Sequence, residues 1–392
     1  MFSRRAGWSL ESSEFSLLLD AQRKSGRNIL DLTESNPTRA GFEYPERLLD
    51  ALRNPKALLY EPSPLGLPSA REAVAAEHGV SLEQVLVTAS SSESYSYLFK
   101  LLCDPGDEVL IPQPSYPLFE FLAGLECVEQ RPYSIRYDGR WRIDMASLES
   151  AITARTRAIL VVNPNNPTGS YIRPDEVTEL RRICRAHSLA LISDEVFFDY
   201  AFERRDFESW AAVAEHSIVF QLGGLSKSAG LPQLKAGWMI VQGPARQCKE
   251  AMERLEMIAD TYLSVSTPIQ LALPALLEEG RKMQRQIKER TSRNLGLLQS
   301  VLTPFSVEGG WYAILPLPDD VDDGEFTLTL LRDHDILAQP GFFYDFEHGN
   351  FLVLSLLSRE REFAAGTRVI SDLLRAGGIA QALPNQSQAA RT

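Results

Sequence analysis

The feature that most restricts the fold is an alternation of two periods in the middle of the chain. Strand-sized apolar runs ("QVLVTAS", "EVLIP", "RAILVVN", "LALISDE", "SIVFQLGG", "AGWMIVQG") alternate with helical patterns such as "ESYSYLFKLL" and "DEVTELRRICRAH". Runs this short and this apolar, with helices between them, predict strands buried on both faces of a mainly parallel sheet. The expected class is therefore α/β: a three-layer αβα domain over residues 46–285. After about Ser264 the pattern changes to the long charged helical stretch "EEGRKMQRQIKERTSRNLGLLQSVL" and then "GGWYAILPLP". This predicts a smaller α+β domain built from residues 1–45 and 286–382, with a disordered polar tail at 383–392.

Composition narrows the function. The 392 residues carry 40 Lys+Arg against 52 Asp+Glu, a net charge of −12. Such a chain has no general attraction to nucleic acid or anionic lipid, so neither is expected as a partner. No apolar stretch has the length of a membrane span or signal peptide. The four cysteines are scattered without metal or disulfide spacing, and the five histidines are equally dispersed. Reduced thiols, no metal and a cytoplasmic location are the expectation.

In an open parallel sheet, ligands gather at the carboxyl ends of the strands. The run "LVT" leads into Ser90, Ser91 and Ser92 just before a helix, where free N–H groups and the positive dipole end suit a phosphate. "QPSYP" supplies Tyr116, "NPNNPTG" supplies Asn166, "LIS" ends in Asp194, and "FQLGG" leads into Ser226 and Lys227. Plainer roles exist for each: a surface lysine, a turn-capping aspartate, a packing tyrosine, serines that merely cap the helix. Taken together they suit an aromatic, phosphate-bearing cofactor containing nitrogen. Lys227 would form a Schiff base with its carbonyl, Asp194 would keep the ring nitrogen protonated, and Tyr116 would stack on the ring. Asn166 would bond the ring hydroxyl, and Lys235 would face the phosphate.

The segments "CDPGDEVLIPQPSYP", "VVNPNNPTG", "ISDEVFFDY" and "SKSAGLPQLKAGW", in this order and spacing, resemble the class I/II aminotransferases of fold type I, which depend on pyridoxal 5'-phosphate. The resemblance runs from about Asp31 to Ile370. It implies the Schiff-base role for Lys227, the ring-nitrogen role for Asp194 and a homodimer in which Tyr60, in "YEPSPLG", is lent to the neighbouring site. It further implies that an amino acid or related amine passes its amino group to a keto acid, with Lys227 as proton carrier.

Four positions depart from the family pattern. Lys235 stands in place of an arginine and lacks its bidentate fork. Gly224 replaces a serine. Phe197 replaces a tyrosine that bonds the ring hydroxyl. Val353 stands where an arginine grips the substrate carboxylate, which makes Asn36, Arg39 and Trp311 candidate substrate contacts, with Arg359 and Arg361 as other possible cations. Phe197 and Val353 also motivate an alternative on the same fold, a lyase, cyclase or β/γ-replacement enzyme. A binding or regulatory protein without turnover is the reading from a different class.

Overall fold

A computed structural model describes residues 2–9, 11, 13–203 and 210–376. The tail expected at 383–392 lies outside the described residues, as do residues 377–382. Near the start, strand β1 (Leu30–Asp31) stands apart from the main sheet. That sheet has eight strands: β2 (Val85–Thr88), β3 (Glu108–Gln113), β4 (Glu129–Tyr137), β5 (Trp141–Ile143), β6 (Thr156–Val162), β7 (Ala190–Asp194), β8 (Val219–Gly224) and β9 (Gly237–Gln242). Their spatial order is β2-β9-β8-β7-β6-β3-β4-β5. The pairs β8/β7, β7/β6, β6/β3 and β3/β4 are parallel, whereas β9 runs antiparallel to both neighbours and β5 is antiparallel to β4.

The strands are apolar throughout because both faces are covered. Ile159 and Val161 of β6 join one core with Val177, Leu180 and Ile183 of the helix Pro174–His187. Their alternates Ala158, Leu160 and Val162 join another core with Tyr95, Leu98 and Phe99 of the helix Ser91–Leu102. A strand shows its two sides to opposite faces, so the sheet is the middle of three layers. Helix Pro174–His187 begins on a proline and ends at Ser188 in the left-handed region.

Beyond the sheet, the helix Thr267–Val301 runs for 35 residues. It starts about ten residues before the charged stretch that signals it in the sequence and continues without a break across 285/286. Its first half packs Leu273 and Leu276 against Val74 and Val85, and its second half packs Leu295 and Leu298 against Phe363 and Ile370. The remaining strands are β10 (Tyr312–Pro316), β11 (Ile336–Leu337), β12 (Gln339–Pro340) and β13 (Phe351–Ser355). The last forms antiparallel pairs with β10 and β12, and β1 pairs in parallel with β11. No helix among the described residues is long and apolar enough to cross a membrane.

Candidate active site

The site is assembled where strands stop. Parallel strands β6, β7 and β8 end side by side, with Val162 opposite Asp194 and Asp194 opposite Leu222. Antiparallel β9 begins at the same rim, because Gly237 pairs with Thr88 on one side and Gly224 on the other. One edge therefore collects the residues following β2, β6, β7 and β8 and those preceding β9. Two glycines permit the close approach. A Cβ on Gly237 would lie 3.0 Å from the Ser90 carbonyl carbon and 3.1 Å from the Gly223 oxygen, and one on Gly223 would lie 2.3 Å from Trp238 Nε1.

Lys227 sits in the short helix Leu225–Ser228 directly after β8. Its main chain is pinned from below: Tyr200 donates its hydroxyl hydrogen to the Lys227 carbonyl at 2.5 Å, and Ser228 donates to the Gly224 carbonyl at 2.9 Å. The side chain lies against a pair of rings packed edge to face, with Nζ 4.9 Å from the centre of Trp311 and 5.4 Å from that of Phe197, the two centres being 5.2 Å apart. The residue keeps some solvent contact. Its amine is nonetheless deep enough that burial holds its pKa down to about 8, against the opposing pull of Asp194.

Asp194 is buried at the end of β7, and that burial raises its carboxyl pKa. Three things act in the opposite direction: the Tyr95 hydroxyl donating to Oδ2 at 2.7 Å, the Val196 N–H donating to Oδ1 at 3.1 Å, and the charge of Lys227. Asn166 is buried, and among the described residues its Oδ1 has no hydrogen-bond partner; the same holds for Nε1 of the fully buried Trp311.

Ser90 caps the helix Ser91–Leu102, accepting the Glu93 N–H at 3.2 Å, while Glu93 accepts the Ala89 N–H at 2.6 Å. Ser91, Ser92 and Ser226 are part-exposed around this end of the rim. Lys235, with φ 50°, is exposed just before β9.

Other predicted residues lie further out. Tyr116 is exposed; burial raises the pKa values of Tyr312 and Tyr344, and Tyr116 is close enough to add to both shifts. Tyr60 is 72% exposed. The Asn36 side chain accepts from Thr38 N and Oγ1, closing a local turn, and Arg39 is exposed. Val353 is completely buried in the centre of β13, opposite Ile314 and Gln339. Arg359 folds over Gly41, where an added Cβ would meet its Nε at 3.1 Å.

Reading the sequence did not single out Tyr95 or Tyr200. Each sits at core spacing and looks like packing; the only signal is a hydroxyl that a buried ring must satisfy.

The model of the family "Aminotransferase class I and II" matches residues 27–353. The chain belongs to the class I and II aminotransferases. It is 32% identical over 271 residues to the glutamate-pyruvate aminotransferase AlaA of Escherichia coli K12, covering 67% of each chain. It is 29% identical over 370 residues to an alanine aminotransferase of Mycobacterium tuberculosis H37Rv, covering 89% of this chain and 86% of that one. Among solved structures, an Escherichia coli aminotransferase superposes with a TM-score of 0.85 at 24% identity, over 97% of this chain and 99% of that one. Alanine aminotransferase from Pyrococcus furiosus gives 0.84 at 25% identity, over 96% and 100%. The fold is thus fold type I, and the chain is an aminotransferase.

Proposed function

We propose that this aminotransferase uses pyridoxal 5'-phosphate, with Lys227 as the residue that carries the cofactor aldehyde and moves the proton. The observation that carries the reading is the pairing of Asp194 and Lys227 at the ends of adjacent strands, with the amine brought to a pKa of about 8. A lysine of ordinary pKa would be almost wholly protonated at neutral pH and unreactive toward a carbonyl. The donor set fits the group. Asn166 offers a buried, unspent amide for a ring hydroxyl. Asp194 offers a buried carboxylate with two acceptor positions already filled and others free for a protonated ring nitrogen. Ser90, Ser91 and Ser92 at a helix start, with Ser226 and exposed Lys235, suit the phosphate. Tyr116 would cover the ring, and Phe197 and Trp311 would pack around Lys227.

Bound pyridoxal phosphate supplies an aldehyde that takes up an amino group and a protonated ring that accepts electrons from the substrate's α-carbon. The chain's own tasks follow from that. Asp194 keeps the ring nitrogen protonated. Lys227, with its amine free, would serve as the base that takes the proton from the substrate's α-carbon and as the acid that gives a proton back. The rings of Phe197 and Trp311 shield the amine from water and so raise the share of its neutral form.

The substrates proposed are an amino acid as donor and a keto acid as acceptor. Alanine, glutamate and pyruvate, which appear in the names of the relatives, are the first to try. Because Val353 is buried and apolar, amines lacking a carboxylate belong on the same panel.

A homodimer is proposed as the working unit. Leu58, Leu59 and Tyr60 are exposed, as are Met257 and Leu263, and the two segments are tied by Ser63 N donating to Ser264 Oγ at 2.8 Å. An apolar patch of this kind suits a second copy, which would place Tyr60 at the neighbouring phosphate. The cytoplasm is the proposed location.

The test is the first half-reaction. The protein is loaded with pyridoxal phosphate and mixed with each donor in the absence of acceptor. Bleaching of the yellow cofactor with one equivalent of keto product supports the reading. A protein that never acquires the yellow band overturns it.

A further inference from the structure

The helix Ser91–Leu102 touches the candidate site twice. Its first residue follows the Ser90 cap at the phosphate end of the rim, and one turn further on Tyr95 reaches Asp194. Tyr95 is 2% exposed. Its ring is wedged edge-on against Phe119, with centroids 5.3 Å apart, and tilted against Phe99 at 6.1 Å. Rings packed this way leave the hydroxyl little freedom of direction. It donates to Asp194 Oδ2 at 2.7 Å, a short bond of the charge-assisted kind.

We infer that Tyr95 is a positioning residue for the cofactor-facing carboxylate: through its hydroxyl it fixes the orientation of Asp194 and keeps it ionised, so that the carboxylate binds a protonated ring nitrogen. The inference rests on the pyridoxal phosphate reading above and deepens it.

The argument is one of competing terms. Taking Asp194 out of water favours its neutral form, and a neutral carboxyl cannot hold a pyridinium. The groups acting on Asp194 are the Tyr95 hydroxyl, the Val196 N–H, the Lys227 amine and the neighbouring Glu195 carboxylate. The charge on Lys227 changes with whether its nitrogen is free or committed to a carbonyl, so it cannot be relied on. Glu195 is part-buried and already accepts from Ser193, Trp210 and Gln221; where charged, it opposes ionisation of Asp194. The Val196 N–H is local main chain and sets only Oδ1. Among the described residues, Tyr95 is thus the side-chain hydroxyl that supports the charged form whatever the state of Lys227. It remains a donor throughout, because burial and the nearby carboxylate push its own pKa well above the usual phenol value.

The test compares Tyr95→Phe with the wild-type protein, using two probes: pyridoxal 5'-phosphate and its 1-deaza analogue, in which C–H replaces the ring nitrogen. Binding is read by fluorescence titration, and folding is checked by thermal unfolding of the apoproteins. Loss of one hydrogen bond to a charged group predicts about a ten- to hundredfold weaker affinity of Tyr95→Phe for pyridoxal phosphate. Affinity for the deaza analogue, which presents nothing for Asp194 to hold, should be unchanged by the substitution. Equal losses for both probes would mean that Tyr95 only shapes the pocket, and would overturn the inference. So would unchanged affinity for both. Should the wild-type protein itself bind neither probe, the cofactor reading falls first and the role of Tyr95 falls with it. Tyr95→His, which restores a donor, should recover part of the lost affinity for pyridoxal phosphate alone.

Discussion

Asp194 and Lys227 oppose the effect of burial on one another. Each is pushed toward its neutral form by loss of water, and each is pulled back toward its charged form by the other. The register explains the pairing: β7 and β8 are parallel neighbours, Asp194 closes the first and the Lys227 helix opens directly after the second. A neutral, reactive amine and an ionised carboxylate are both required at one rim. On the proposed reading, the packing of Nζ against Phe197 and Trp311 favours the first, and the hydrogen bonds donated to Asp194 by Tyr95 and Val196 favour the second.

On the proposed mechanism, replacing Lys227 by alanine removes both the aldehyde anchor and the proton carrier. Turnover should fall by roughly 10³-fold or more, in line with loss of a positioned acid–base and covalent group. The fold should be retained, because the contacts that pin this segment, from Tyr200 and Ser228, are made to main-chain carbonyls. Circular dichroism and a steady-state assay check the two halves separately; substantial residual turnover would remove Lys227 from the mechanism.

The amine also leaves a signature in stability. Lys227 has a folded pKa of about 8 against a reference value of 10.5, so between those pH values the unfolded chain binds more protons than the folded one. Stability from this group therefore rises with pH across that window, and below pH 8 the full penalty is present. The apoprotein of Lys227→Met should be more stable than wild type at pH 7, by on the order of 1–3 kcal/mol. The difference should shrink steadily between pH 8 and 10. Urea unfolding at pH 7, 8.5 and 10 measures it, and a difference independent of pH would show that the fold does not lower the amine's pKa.

Most of the sheet was legible because both of its faces are buried, which leaves uninterrupted apolar runs. β2, β3, β6, β7, β8 and β9 all correspond to such runs. β4 was not, since its sequence "EQRPYSIRY" mixes exposed and buried positions, and three-residue β5 is too short to show a period. Lys227, Asp194 and Asn166 were readable from their places at strand ends. Tyr95 was not, because a tyrosine at core spacing on an amphipathic helix looks the same whether or not its hydroxyl has a target. Val353 was noticed only as an exception to a pattern; that its side chain is wholly enclosed depends on the pairing of β13 with β10 and β12, which no local signal carries.

Gly237→Ala tests the rim itself. The new methyl group would press on the main chain of Ser90 and Gly223 on two sides, and neither can move without shifting a strand end or the helix start. A cost of roughly 1–3 kcal/mol is expected from overpacking, together with weaker binding of pyridoxal phosphate. Urea midpoints and a cofactor titration report the two effects. Unchanged values for both would mean that the junction of β9 with Ser90 is looser than its geometry implies.

The apolar patch around Leu58 makes a prediction about assembly. Leu58→Glu places a charge on it while touching no residue of the rim. If this patch joins two copies, sedimentation equilibrium should show wild-type dimers and largely monomeric variant, with cofactor affinity reduced because Tyr60 no longer reaches its neighbour. A variant that sediments as wild type would move the interface elsewhere.

Val353→Arg separates a missing function from a filled space. Val353 has no exposed surface and lies between Ile314 and Gln339 in the middle of a small sheet. An arginine there would have to carry its charge into an apolar core shared with Trp311, Tyr312 and Tyr344. Without a partner this should cost roughly 3 kcal/mol or more and lower the urea midpoint markedly. That outcome would mean that this chain has closed the position, so that any carboxylate on its substrate is met elsewhere on the rim. If the variant instead folds as well as wild type and reacts faster with amino acids in the first half-reaction, the side chain must be able to turn toward the substrate, and the valine marks a preference for amines without a carboxylate.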